Sequence, residues 1–284
     1  MTWYKKYLSV YNKPYDSTDT ELIDSVRERI RGLQSDNPLV SVVVIGYNEE
    51  QHLLANLWSL SDMQCKYPVE IIGVDNDSKD KTAQIFKDLQ VPLYTEYQHS
   101  CGYARRCGLE HAKGKYYICI DSDTMYPPKY VEIMVDALKK PSVVAVSSLW
   151  SYIPDKDHSW IGLKFYELFR DIFLFLQSFK RPELSVRGLV FAYNIEYGRK
   201  ERYRVEIIRG EDGSMAFDLK KYGKIKFVRT RKARAVTGYG TVGADGSFFN
   251  SFKKRAKLAF FNFFSIFSKK TKYEDEDSNL IEKK

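Results

Sequence analysis

The stretch Lys115-Tyr116-Tyr117-Ile118-Cys119-Ile120-Asp121-Ser122-Asp123-Thr124 limits the possible folds more than any other. An apolar, β-prone run stops at two carboxylates with one residue between them. Such a run reads as a buried strand. The carboxylates cannot enter the core, because burying an unpaired charge costs several kcal/mol or more. They must sit where the strand leaves the sheet, either to bind a hard cation or to cap the next helix.

The same pattern occurs twice upstream. Residues 40–45 form a candidate strand ending in Gly46-Tyr47-Asn48-Glu49-Glu50, followed by a helix with Leu53, Leu54, Leu57 and Leu60 on one face. Residues 69–74 form a second, ending in Asp75-Asn76-Asp77-Ser78 before a helix over about 79–89. A short strand at 92–95, a helix at 102–112, the strand at 116–120, a helix opened by Pro127 and Pro128, and a strand at 142–147 complete the series. Strand alternating with helix at this spacing predicts an α/β fold with a doubly wound, mostly parallel central sheet and flanking helices. Ligands bind such sheets beyond the carboxyl ends of the strands. One acidic strand end would be an ordinary turn or cap. Three on one rim (Tyr47 and Glu49, Asp75 and Asp77, Asp121 and Asp123) point to a site.

The flanking segments differ. Residues 1–38 predict a helical extension: Thr18 and Glu21 have capping-box spacing, and Leu22, Ile23, Val26, Ile30 and Leu33 share a face. The expected role is a packing helix outside the main sheet. After Trp150 the alternation is lost. Residues 160–179 read as a helix that is apolar nearly all round, and 187–194 as a loop or short strand. Asp212 begins a helix reaching about Tyr222, with Gly223 at its C′ position, and 225–228 follow as a strand. Residues 248–270 are basic and Phe-rich. They read either as an amphipathic helix lying in a membrane interface or as a helix docked on its own domain.

Composition excludes several classes. The net charge of +8 favours anionic partners, nucleotides and anionic lipid among them. The basic residues are spread along the chain and the aromatics fall in apolar segments, so no nucleic-acid partner is expected. The four cysteines form no C-x-x-C pair and the histidines have no zinc spacing, which suits a reducing compartment. No run approaches the roughly 18 apolar residues of a membrane span, and the first residues lack a signal-peptide pattern. The expectation is a cytoplasmic protein, peripheral at the inner face of the cell membrane. Attachment would come through 248–270, with 160–176 as a second candidate surface.

Residues 40–228 resemble family 2 glycosyltransferases of the GT-A fold. The resemblance is carried, in order, by Tyr47-Asn48-Glu49-Glu50, by the run from Val74 through Asp75-Asn76-Asp77-Ser78 to Thr82, by Gly102-Tyr103-Ala104-Arg105-Arg106, by the Ala112-Lys113-Gly114 turn, by Ile120-Asp121-Ser122-Asp123, and by Gly210-Glu211-Asp212 followed by Leu219 and Gly223. It implies that Tyr47, Glu49 and Asp75 contact the base and ribose of a nucleotide-sugar, with Arg106 and Glu211 also in the donor site. It implies that Asp121 reaches the ribose or the metal's waters, that Asp123, with Asp121, serves Mg²⁺ or Mn²⁺ at the diphosphate, and that Asp212 is the general base. It divides the chain into 1–38, a GT-A domain at 39–246 (a donor half at 39–149 and an acceptor half at 150–246), and 247–284.

The residues alone leave alternatives. Asp212 could be an N-cap, Asp75 and Ser78 turn and cap residues, and Arg105 is as reachable as Arg106. The chain also departs from the family pattern. Asn76-Asp77 stands where Asp-Gly is usual, no Asn occurs within Arg105-Arg106-Cys107, and Ala233-Arg234-Ala235-Val236-Thr237 lacks the late His some relatives carry. The G-x-G-x-x-G at Gly238-Tyr239-Gly240-Thr241-Val242-Gly243 lacks the helix and second acidic strand of a dinucleotide fingerprint, and reads as a loop that could close over a donor. The function expected is an inverting, metal-dependent transfer from a nucleotide-sugar, UDP-sugar favoured, to a glycan or lipid-linked acceptor. The alternative is a non-catalytic nucleotide-binding scaffold on the same fold.

Overall fold

The computed structural model describes residues 2–154, 160–207 and 210–238. The 248–270 segment and Tyr239–Gly243 lie outside the described residues. Helix α1 (Thr20–Leu33) precedes β1 (Val40–Gly46). Strand and helix then alternate through α2 (Glu50–Ser61), β2 (Val69–Asp75), α3 (Thr82–Asp88), β3 (Leu93–Thr95), α4 (Cys101–His111) and β4 (Tyr116–Asp121). The short β5 (Thr124–Met125) leads to α5 (Tyr130–Leu138) and β6 (Val143–Ser148). After β7 (Trp150–Tyr152) come α6 (Trp160–Ser178), β8 (Phe191–Asn194), α7 (Ile195–Glu201), α8 (Glu211–Leu219), β9 (Lys224–Val228) and β10 (Ala235–Thr237).

Seven strands form the main sheet in the order β3-β2-β1-β4-β8-β6-β9. β8 pairs antiparallel with both neighbours, and the other pairings are parallel. The segment left open as loop or strand therefore supplies an antiparallel strand in the middle of the sheet. β5, β10 and β7 make a small second sheet.

Both faces of the main sheet are covered, which is why β1 and β2 are buried along their whole length. Side chains alternate across a strand. Val42 and Val44 of β1 join one core cluster, with Leu53 and Leu57 of α2, Phe86 of α3 and Met134 of α5. Val43 and Ile45 join the other, with Ala104 and Leu109 of α4 and Met215 and Leu219 of α8. A Cβ at Gly108 would lie 2.4 Å from Val43 Cγ1, so this glycine lets α4 settle close onto β1.

Three expectations need correction. The cap of α1 is Asp19, not Thr18: the Asp19 carboxylate accepts the Glu21 N–H at 3.0 Å, a shorter reach than the Thr18 hydroxyl would have. Asp212 is not an N-cap, because α8 begins one residue earlier behind Gly210, whose φ of 103° suits glycine. Helix α6 is not apolar all round. Glu167, Asp171 and Gln177 lie on its buried side, while Trp160, Phe165, Phe169 and Leu176 face outward.

The N-terminal residues do more than pack beside the sheet. Tyr7, Val10, Tyr11 and Tyr15 belong to the same core cluster as α2 and β1. The Tyr7 hydroxyl donates to Asp62 and the Tyr15 hydroxyl to Asp88, at 2.6 and 2.9 Å.

Candidate active site

Parallel register brings the strand ends together. Gly46 of β1 pairs with Asp75 of β2, and Ile45 pairs with Asp121 of β4. The three acidic turns thus leave one rim at adjacent points. That rim is also where the strand order reverses, since β2 and β3 lie on one side of β1 and β4 on the other. A crevice at such a switch point is where open α/β sheets bind ligands.

The first two turns lock each other. Asn48, at φ 54°, donates its N–H to Ser78 Oγ at 2.9 Å, and its side-chain oxygen accepts the Lys79 N–H at 2.8 Å. The Glu49 N–H donates to Thr82 Oγ1 and the Glu50 N–H to Asp80, at 2.7 and 2.9 Å. Asp75 is buried and accepts the Ser78 N–H at 3.3 Å on each oxygen, so it does act as a turn residue. Asp77 sits at φ 57°, in the left-handed region that favours glycine. The Asp-for-Gly departure therefore leaves the turn's backbone shape intact. Asn76 donates to the Glu96 and Gln98 carbonyls, both at 2.8 Å, and ties the β3–α4 loop to the same turn. Tyr47 stays 51% exposed, edge-on to His99, leaving its ring open to a planar ligand.

The centre of the site is Arg105, which is 2% exposed. Its Nη2 donates to Asp121 Oδ1 at 2.6 Å, and its Nε lies 3.0 Å from Asp212 Oδ1 and 3.8 Å from Glu211 Oε1. One guanidinium is therefore shared by three carboxylates from two elements 90 residues apart in sequence. Burial, with Glu211 and Asp121 adding to it, pushes the Asp212 carboxyl well above the usual range against the pull of Arg105. The direction is set by burial, which disfavours the charged form, and the two neighbouring carboxylates offset part of the Arg105 attraction. Gly188 closes the back of this pair: a Cβ there would fall 1.9 Å from Arg105 Nη2 and 2.3 Å from Asp212 Oδ2.

Arg106 points elsewhere, with its guanidinium 4.9 Å from the centre of the Tyr103 ring. Successive helix residues differ by about 100°, so only one of the two arginines can face the rim. The residue types alone do not say which.

Asp123 lies on the other side of Asp121. Burial, then the charges of Asp121 and Glu49, raise its carboxyl to about 7, although Thr124 Oγ1 donates to it at 2.8 Å. A half-buried carboxylate facing two others suits a cation, and an all-oxygen donor set suits Mg²⁺ or Mn²⁺ rather than zinc. Among the described residues no group of three His, Cys, Asp or Glu is placed to hold an ion. The protein's share would be Asp123 and Asp121, with a ligand's phosphates supplying the rest, the usual mode for Mg²⁺.

Sequence reasoning missed two contributors. The Tyr11 hydroxyl donates to the Asp123 carbonyl at 3.0 Å across 112 residues. His52 bridges Glu49 Oε2 and Asn12 Oδ1 at 2.6 and 2.7 Å. Burial alone would lower His52, but the Glu49 hydrogen bond and charge outweigh it and its pKa is raised. No local motif marks Tyr11 or Asn12. The basic segment that lacks a late His forms β10, whose Thr237 pairs with Thr124 beside Asp123.

A mostly parallel sheet with a switch-point crevice and an aspartate pair at its rim matches the GT-A fold of solved glycosyltransferases. The solved structures agree. A mannosyltransferase from Pyrobaculum calidifontis, in complex with GDP-Man and Mn²⁺, superposes with a TM-score of 0.58 at 19% identity, covering 84% of this chain and 72% of that one. Glucosyl-3-phosphoglycerate synthase from Mycobacterium tuberculosis, with Mn²⁺, UDP-glucose and phosphoglyceric acid, gives 0.53 at 19% identity, over 84% and 82%.

The family model "Glycosyl transferase family 2" matches residues 41–194, more than half of the chain, and the chain belongs to that family. An uncharacterized glycosyltransferase of Rickettsia prowazekii is 33% identical over 133 residues, 45% of this chain and 41% of its own length. Chondroitin synthase of Escherichia coli is 26% identical over 180 residues, 61% of this chain and 25% of its own length. The first curated relatives are thus matched over only 41–63% of their length.

Proposed function

We propose that this chain is an inverting, metal-dependent glycosyltransferase. It would move a sugar from a nucleotide-sugar, UDP-sugar favoured, to a hydroxyl of a glycan or lipid-linked acceptor at the inner face of a membrane. The observation that carries the reading is the junction at Arg105, where Asp212 meets Asp121 beside Asp123. The chain's relatives include a UDP-glucose-dependent glucosyltransferase of Escherichia coli acting on a diphosphoundecaprenol-linked sugar, which supports the donor and acceptor classes.

Tyr47, Glu49 and Asp75 would receive the base and ribose, with Glu211 at the margin of the donor site, whereas Arg106, turned onto the Tyr103 ring, would stand outside it. Asp121 and Asp123 would hold Mg²⁺ or Mn²⁺ against the diphosphate. When bound, the cation supplies charge neutralisation for the departing diphosphate. The protein's own chemistry is proton removal. An acceptor oxygen attacks the anomeric carbon as the carbon–phosphate-oxygen bond breaks, and its proton passes to Asp212. A raised carboxyl suits that role, because its carboxylate is the stronger proton acceptor. Arg105 lies 3.0 Å from one Asp212 oxygen as an ion pair, and its charge would keep that carboxylate at the rim. A single displacement of this kind inverts the anomeric centre.

Asp212→Asn keeps the shape and removes the base. Transfer should fall by about a hundredfold to ten-thousandfold, the usual scale for losing a general base, while Mn²⁺-dependent donor binding by calorimetry persists. Undiminished turnover in that variant would overturn the assignment.

A further inference from the structure

Helix α6 is built the wrong way round for water. Its carboxylates point inward. Glu167 accepts from Ser151 Oγ at 3.0 Å, the Tyr152 N–H at 2.9 Å and Lys164 Nζ at 2.7 Å, and Asp171 pairs with Arg170 and Arg234. Leu163 and Leu174 join them on the inward side, but a row of large apolar side chains points outward. Trp160, Ile161, Phe165 and Phe169 are about 60% exposed, and Ile172 and Leu176 continue the row. The spacing places them on one stripe along the helix. A contiguous stripe of this kind on a folded domain marks an interaction surface.

The surroundings say what covers it. No Asp or Glu occurs from Leu219 to Ala244, while Lys220, Lys221, Lys224, Lys226, Arg229, Arg231, Lys232 and Arg234 fall within it. Arg229, Arg231 and Lys232 are exposed, and the Arg229 guanidinium lies 4.1 Å from the centre of the Phe175 ring, where this basic stretch meets α6. The stripe is therefore apolar with the Arg229 cation at its edge, in a stretch of chain that carries no carboxylate. A second copy would bring two such edges together. Residues 248–270 of the same chain, with Lys253, Lys254, Arg255 and Lys257, would add like charge to like. Only an anionic partner with an apolar interior satisfies both parts. No described helix is long and apolar enough to cross a membrane, so α6 would lie in the interface plane.

We infer that the outward face of α6, with its Arg229–Lys232 border, is the surface by which this protein docks on an anionic lipid bilayer. The inference deepens the membrane part of the proposed function and rests on it for the acceptor. α6 is also joined to the chemical site. Ser185 Oγ donates to the Leu174 carbonyl at 3.1 Å, and the chain from Ser185 reaches Gly188, packed on Arg105 and Asp212, three residues later. Docking would thus place the bilayer on the side of the site served by residues 185–188, where a lipid-linked hydroxyl would arrive.

The test uses the full chain and vesicles of phosphatidylcholine with or without phosphatidylglycerol. The wild type should co-sediment with the anionic vesicles. Phe165→Glu with Phe169→Glu should weaken that partition by about tenfold or more, since two apolar anchors are lost and two repelling charges gained. Circular dichroism and lipid-free release of UDP from a donor should not change. Brominated acyl chains should quench tryptophan emission in the wild type and not in Trp160→Phe. Unaltered vesicle binding by the double variant would overturn the inference. So would a wild-type dimer that the double variant disperses, without vesicle binding. Loss of binding on deleting residues after Gly246, with Trp160 unquenched, would reassign docking to the 248–270 segment. Absence of donor turnover with vesicle binding intact would sink the transferase reading and leave this one standing.

Discussion

At the residue scale the site depends on one glycine and one shared arginine. Gly188→Ala would drive a methyl into Arg105 and Asp212, both fixed and buried. Neither is the loose end of a surface chain, so the pair must shift. A displacement near 1 Å in a catalytic group costs about a hundredfold in rate, and kcat should fall by that order while the donor's KM changes little, as steady-state kinetics would show. Asp123 has a signature of its own. Its folded pKa of about 7 lies above the ordinary carboxyl value near 3.9, so the folded state holds this proton more tightly than the unfolded one. Its contribution to stability is complete below about pH 4 and is lost as pH rises through 7. Metal-free wild type should therefore lose stability across that window more steeply than Asp123→Asn, as denaturant titrations at several pH values would reveal. Mn²⁺ competes with that proton, so its affinity should weaken below pH 7.

At the element scale the lesson is α6. Sequence periodicity marks a long apolar helix, but burial sorted its faces by ion pairing rather than by hydrophobicity. Arg234, from the segment before β10, meets Asp171 and approaches Glu167 at 4.0 Å. Arg234→Ala would leave Asp171 with Arg170 alone, while Glu167 keeps Ser151, Tyr152 and Lys164. Losing one charged hydrogen-bond partner costs about 1.5–3 kcal/mol, and urea unfolding of the variant should show a loss of that size. The α1 cap gives a smaller case. Asp19→Ala removes the acceptor for the Glu21 N–H, and should lower stability by about 1 kcal/mol.

At the scale of the whole molecule, the parallel register of β1, β2 and β4 turns three separate sequence motifs into one rim, and the N-terminal residues close it from outside. A ligand bridging those parts must stabilise the fold by mass action. A nucleotide-sugar at about a hundredfold over its dissociation constant adds about 2.7 kcal/mol. A thermal-shift panel of donors with and without Mn²⁺ should pick out one nucleotide, and the shift should require the metal. A panel in which no donor moves the melting temperature would contradict the donor-site reading.

The sequence by itself determined the strands β1 to β4 and the helices between them, because strand and helix periodicities are local, and the acidic turns after β1, β2 and β4; the antiparallel β8 in mid-sheet and the small second sheet were decided by packing. It also determined the family, through the order of short motifs. Which arginine faces the rim was decided only in three dimensions, since Arg105 and Arg106 are the same residue type and differ by one helical step. The same holds for the meeting of Asp212 with Asp121, the reach of Tyr11 to Asp123 and the inward turn of the α6 carboxylates. Each is a contact between groups distant in sequence, and its energy depends on a geometry that exists only once the layers have packed.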